Sequence, residues 1–254
     1  MSILTETSES IAGIQIARPE RKNAITEAMY VALEQAVLAA EADPAVRVLL
    51  IYGTPEVFCA GNDIDDFLRN PPGGPDAPVC RFMRSLAHAV KPVVAAVNGV
   101  AVGIGTTLLF HCDLAFCADD ARFSMPFVNL GISPEFASSL LLPLTAGYHR
   151  AAEKLMLGDP SSAEEALEMG LVNRILPPGE VLPYARRQCT RLARLPPESL
   201  RQTKRLLKTG LREAIDRTMK DENETFQRLL LSEEAREAFT AFRERRTPDF
   251  SRFS

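Results

Sequence analysis

At 254 residues, 46% of them hydrophobic and 24% charged, the chain has the composition of an ordinary globular protein, which excludes the disordered and fibrous classes. A net charge of -4 leaves no electrostatic reason to expect nucleic acid, which is bound chiefly by clustered Lys and Arg on phosphates. The five cysteines (Cys59, Cys80, Cys112, Cys117, Cys189) are scattered without the paired spacings of a zinc site or disulfide framework, so reduced thiols and no metal are expected.

The first ten residues, MSILTETSES, carry acids and hydroxyls where a signal peptide needs a basic and then an apolar stretch, which predicts a cytoplasmic protein. Strands are expected at 13–17, where Ile14 and Ile16 alternate with other residues, and at the almost wholly apolar 46–52 and 93–97. Between the first two, Met29, Leu33, Ala36, Val37 and Ala40 recur at helical spacing, predicting a helix over 26–42 with Thr26 as its N-cap. The Pro/Gly-rich stretch 70–78 reads as a mobile surface loop or lid. Residues 92–110 carry no charge and approach the roughly 20 residues of a membrane span. Asn98-Gly99 and the glycines at 103 and 105 interrupt them, so no membrane span is expected.

Beyond Ser162 and Glu165, which form a capping-box pattern, a short strand at 171–176 gives way to nearly continuous helix broken at Pro196-Pro197 and Gly210. Its apolar residues (Leu206, Leu207, Phe226, Leu229, Leu230, Phe239, Phe242) are too many for so short a segment to bury alone, which predicts subunit contacts. The expected organisation is therefore α/β, with a core over 1–195 and a helical oligomerisation region over 196–254.

Two segments run from a strand through small residues into a helix. Phe58-Cys59-Ala60-Gly61-Asn62-Asp63-Ile64 follows the second strand and precedes a helix containing Asp65, Asp66 and Phe67. Asn98-Gly99-Val100-Ala101-Val102-Gly103-Ile104-Gly105-Thr106-Thr107 follows the third and leads into the apolar 108–110. Such turns leave backbone N–H groups free to face negative charge. By itself the first reads better as a loop ending in an N-cap, and the second as glycines that let a helix lie close on a sheet. Gly103 and Gly105 do not make a dinucleotide fingerprint, because Leu108 stands where its third glycine belongs.

In order, flanking strands and spacing the two turns together resemble the crotonase, or enoyl-CoA hydratase/isomerase, superfamily. The resemblance extends to Arg18-Pro19-Glu20-Arg21-Lys22-Asn23-Ala24 and to Thr240-Ala241-Phe242-Arg243-Glu244-Arg245-Arg246, and so covers nearly the whole chain. It implies a crotonase-like spiral of ββα units with a C-terminal helical trimerisation region, and a homotrimer or dimer of trimers. It also implies a backbone oxyanion hole at Asn62 and Ile104 that holds the enolate of an acyl-coenzyme A thioester. Substrate contacts are implied at Lys22, Ala24, Ala60, Gly61, Asp63, Ile64, Gly103, Phe127, Phe242 and Arg245. Coenzyme A enters as part of the substrate, and no separate cofactor is implied.

The superfamily fixes the oxyanion hole and leaves the reaction to the acids and bases around the acyl chain. The two glutamates of its hydratases would fall at Thr107 and Phe127, neither of which moves protons as a carboxylate does. Leu130-Gly131-Ile132-Ser133-Pro134-Glu135-Phe136 is similar instead to the peroxisomal-type enoyl-CoA isomerases, which place a single glutamate at the position of Glu135. One carboxylate suffices to take a proton next to the carbonyl and return it two carbons along. The same residues also spell a generic helix start, with Ser133 as cap, Pro134 first and Glu135 in the first turn. A helix N-terminus would lower the Glu135 pKa and burial would raise it.

Asp63, Asp65 and Asp66 are alternative carboxylates, while His88, His111 and His149 have no metal-ligand spacing and read as core or surface residues. The expected activity is conversion of 3-enoyl-CoA to 2-enoyl-CoA. The alternatives are a hydratase or other enolate-forming crotonase, and an acyl-CoA-binding protein without catalysis.

Overall fold

The structure, a computed structural model, describes residues 2–253. Its strands are β1 (Ile3–Ser8), β2 (Ile11–Ile16), β3 (Val48–Tyr52), β4 (Val93–Val97), β5 (Val100–Val102), β6 (Leu114–Ala118), β7 (Arg122–Ser124) and β8 (Arg174–Leu176). The main sheet runs β1-β2-β3-β4-β6-β8, with β1 antiparallel to β2 and the remaining pairs parallel, and β5 and β7 form a small parallel sheet beside it. Every residue of β3 and of β4 is buried, as parallel strands covered on both faces require. The outer strand β1 buries Ile3 alone and exposes Thr and Glu, a polar edge that resists pairing with other chains. That sparse burial is why no apolar period marks it in the sequence.

The helices are α1 (Glu27–Ala42), α2 (Ile64–Arg69), α3 (Pro78–Ala87), α4 (Ile104–Thr107), α5 (Ser138–Ala146), α6 (Tyr148–Leu157), α7 (Ala163–Glu168), α8 (Pro178–Ala193), α9 (Pro197–Thr209), α10 (Arg212–Leu230) and α11 (Glu233–Glu244). The expected first helix is present with Thr26 accepting from the Met29 N–H, and Ser162 with Glu165 completes the capping box of α7. Helix α8 covers β3, β4 and β6, and α1 packs on α3. No helix of the described residues is long and apolar enough to cross a membrane.

Two expectations for local structure are corrected. The 108–110 run forms a 3-10 turn (Leu108–His111) after the four-residue α4 instead of continuing as a helix. Ser133-Pro134-Glu135 does not start a helix, because Phe136 and Ala137 turn the chain through left-handed backbone and α5 begins only at Ser138.

The C-terminal helices pack back on the core. Phe226, Ala235 and Phe239 share an apolar cluster with Met125, Phe127 and Ile132, so Phe226 and Phe239, expected at a subunit contact, are buried within the chain. Leu206 and Leu207 on α9 stay exposed. Gly131 sets how closely α11 approaches, for it has φ +68° and a Cβ there would lie 2.7 Å from the Ala235 nitrogen. Gly131→Ala is therefore expected to destabilise the fold by about 2–3 kcal/mol, read as a lower denaturant midpoint at unchanged m value. A midpoint equal to wild type would show that α11 yields without cost.

Candidate active site

The chain segment before α2 and the one before α4 meet as a minimal parallel pair. Cys59 bridges Ala101, its N–H donating to the Val100 carbonyl at 3.0 Å while the Val102 N–H donates to the Cys59 carbonyl at 2.9 Å. From this matched pair each segment runs three residues further, one to Asn62 and the other to Ile104. Among the described residues neither of those two N–H groups has a hydrogen-bond partner. Gly105 permits the approach, since a Cβ there would stand 2.7 Å from the Cys59 carbonyl oxygen.

Residues 18–24 brace the first segment from behind. The buried Asn23 side chain donates to the Val57 and Phe58 carbonyls, the Ala60 N–H donates to the Lys22 carbonyl, and the Ile25 N–H donates to the Gly61 carbonyl. Asp63 caps α2 through the Asp66 N–H and holds the Arg18 guanidinium at 2.7 Å. Burial opposes ionisation of Asp63, but the Asp66 N–H and Arg18 outweigh it and keep the carboxyl below the usual range. Asp65 and Asp66 likewise serve surface contacts, Asp65 with Arg21 and Asp66 with the Glu27 N–H.

The two turns open into a cavity of about 360 Å³. Ala60, Gly61, Asn62, Ile64, Gly103, Ile104, Phe127 and Glu135 line it, together with Phe226, Phe239, Phe242 and Arg246 from the C-terminal region. Lys22, Ala24, Asp63 and Arg245 do not line it. Arg246 does line it, and its guanidinium is already engaged by Glu237 and Glu244 at 2.6 Å each. A smaller cavity of about 30 Å³ shares Asn62 and Phe67 with the main one and is walled by Asn70, Pro72 and Ala77 of the Pro/Gly-rich loop.

Glu135 is the one carboxylate among the described residues that line the main cavity. Its Oε1 is buried with no hydrogen-bond partner among the described residues, a costly arrangement for a carboxyl group. Burial, followed by the nearby Glu222 carboxylate, pushes the Glu135 pKa up to about 8. The residue lies three positions before the first residue of α5 and is not itself within a helix. Thr107 is fully buried and Phe127 presents only a ring, so neither supplies a second acid.

A profile of the enoyl-CoA hydratase/isomerase family matches residues 6–252. The chain belongs to that family. The solved structure of Pseudomonas aeruginosa OdaA is similar to it at 47% identity and a TM-score of 0.93, over 95% of this chain and 98% of that one. Crotonyl-CoA hydratase of Syntrophomonas wolfei subsp. wolfei is 34% identical over 98% of this chain and 97% of its own length. Human enoyl-CoA delta isomerase 2 is 32% identical over 97% of this chain and 64% of its own length. The crotonase fold with its ββα units and C-terminal helices is thus the fold of this chain. Hydratases and isomerases of the family both stand among these relatives, so membership fixes acyl-CoA chemistry more firmly than the reaction.

Sequence reasoning missed the inward role of Phe226 and Phe239, and it passed over Glu222 and gave His111 only a bland one. Helical spacing shows which residues are apolar but not which partner they face, and a lone acid on a helix carries no mark of burial.

Proposed function

We propose that this protein is an enoyl-CoA isomerase that converts 3-enoyl-CoA to 2-enoyl-CoA, with Glu135 moving the proton. The observation that carries the reading is the lone carboxylate lining the cavity, its Oε1 without a partner, in a cavity also lined by the two residues whose N–H groups are unpartnered. The Asn62 and Ile104 N–H groups hold the thioester oxygen as it becomes an enolate, and such donors usually provide the largest part of catalysis. Glu135 takes the proton next to the carbonyl and returns it two carbons along on the same face, so no second acid is needed. The aromatic side chains exclude water from the enolate. The reaction so read is redox-neutral and needs no metal or separate cofactor, coenzyme A entering as part of the substrate. In the same reading exposed Leu206 and Leu207 meet further copies in a trimer or pair of trimers, which light scattering on the purified protein tests.

The 34% identity to a crotonyl-CoA hydratase favours hydration as the second reading. Product analysis separates the two. Supplied with 3-hexenoyl-CoA, the purified protein is expected to give 2-hexenoyl-CoA, whereas no conversion of that thioester together with hydration of 2-hexenoyl-CoA to the 3-hydroxy product would sink the isomerase reading. The pH dependence gives a second check. A base works only when ionised, so with a carboxyl pKa of about 8, kcat/KM is expected to rise with pH and level off above about 8. If Glu135 entered as the acid, the slope would be opposite.

A further inference from the structure

The peptide that carries Glu135 is held in a conformation it would not adopt unaided. Phe136 and Ala137 follow it with φ of 59° and 56°, two successive left-handed residues that both carry a Cβ. Such backbone persists only where surrounding groups over-determine it. One of these groups is His111, whose Nε2–H donates to the Phe136 carbonyl at 2.8 Å while its ring stacks on Phe136 with centroids 3.9 Å apart. The other is Glu222 on α10. Its carboxylate accepts from the Ala137 N–H at 2.6 Å, the Ser139 N–H at 3.0 Å and the Ser139 hydroxyl at 2.5 Å.

Glu222 is only 7% exposed, and no Lys or Arg pairs with it among the described residues. A buried carboxylate without a cation is retained only where donors satisfy it, and three do so here. They come from Ala137, inside the left-handed turn, and Ser139, at the start of α5. Glu222 thus grips the turn from a helix more than 80 residues along the chain.

We propose that Glu222 is a positioning residue that pins the Phe136–Ala137 turn and so fixes the Glu135 carboxyl in the cavity, without itself touching substrate. The proposal rests on the reading of Glu135 as the proton carrier. It gives α10 a part in proton transfer as well as in packing. Burial pushes the Glu222 carboxyl above its usual range although the Ser139 and Ala137 donors favour the charged form, and once ionised Glu222 supplies the charge that Glu135 faces. The other titratable groups around Glu135 are neutral near pH 8: burial holds Tyr30 well above its ordinary value, Cys59 at about 12 and Cys80 at about 11, and keeps His111 down at about 3.

The test is Glu222→Gln assayed with 3-hexenoyl-CoA across pH 6–10. Gln loses the charge and replaces one accepting oxygen with an NH₂ group that faces an N–H. The expected result is a kcat lower by about 10- to 100-fold with KM changed less than about twofold, because a misaimed carboxyl slows chemistry more than binding. The midpoint of kcat/KM should also move to lower pH, by at least about half a unit, since a like charge has been removed. Wild-type kcat and midpoint with only a lower Tm would mean that Glu222 is structural, and would overturn the proposal.

Adding Ala137→Gly separates geometry from charge, for glycine adopts the left-handed turn without a clamp. The double variant should recover part of kcat while its midpoint stays low. Should Glu222→Gln alone fail to fold, this double variant carries the test, and a wild-type midpoint in it overturns the proposal. Full activity in Glu135→Gln would instead defeat the reading of Glu135, whatever Glu222 does.

Discussion

Glu135→Gln is expected to lose about 10²–10⁴-fold in isomerisation turnover, the range usual for removing a positioned proton-transfer group. The amide keeps the size of the side chain and cannot accept the proton, so KM for the thioester should change little. Near wild-type turnover in the folded variant would show that another group moves the proton. The same substitution has a stability signature whose sign follows from the raised pKa. Between the ordinary carboxyl value of 4.5 and about 8 the folded protein holds the Glu135 proton more tightly than the unfolded chain does. Wild-type stability from this group is therefore present at low pH and lost as pH rises through about 8. The Gln variant lacks this titration, so thermal melts at pH 6 and pH 9 should show wild type losing more Tm than Glu135→Gln. Equal losses would mean that the Glu135 carboxyl is not held protonated by its surroundings.

Ile104→Pro is the second large effect, expected to lower kcat by about 10²–10³-fold, as loss of one oxyanion donor does elsewhere. Ile104 is the first residue of α4, where the fixed φ of proline is tolerated and the N–H has no partner within the helix. The substitution therefore deletes the donor while keeping the local backbone course. It also trims a fully buried side chain, so Ile104→Val serves as the control, keeping the N–H and most of the volume. Wild-type turnover in folded Ile104→Pro, with Ile104→Val normal, would remove Ile104 from the oxyanion hole. A loss shared equally by the valine variant would trace the effect to packing.

Much of the fold is written locally. The alternation at Ile14 and Ile16, the apolar run in β3, the helical spacing from Met29 to Ala40 and the Ser162–Glu165 box all produce the expected elements, because each depends on neighbours a few residues away. The two strand-to-helix turns were legible for the same reason, their small residues marking where backbone must lie bare.

Other features depend on groups far apart in the chain, and no local pattern carries them. Whether Ser133-Pro134-Glu135 opens a helix was decided by His111 and Glu222, whose hydrogen bonds stabilise a left-handed turn that propensity alone disfavours. Whether Glu135 titrates low or high was decided first by burial and then by the Glu222 charge. Phe226 and Phe239 show the same division: their apolar spacing marked them for burial, and only the path of the chain brought them onto the cavity within this chain. The family's fold, the two turns and Glu135 as the candidate carboxylate were thus readable from local residues alone. That this carboxylate is the one lining the cavity among the described residues, and that it is desolvated, came from the folded arrangement, because both properties arise from contacts between residues far apart in the chain.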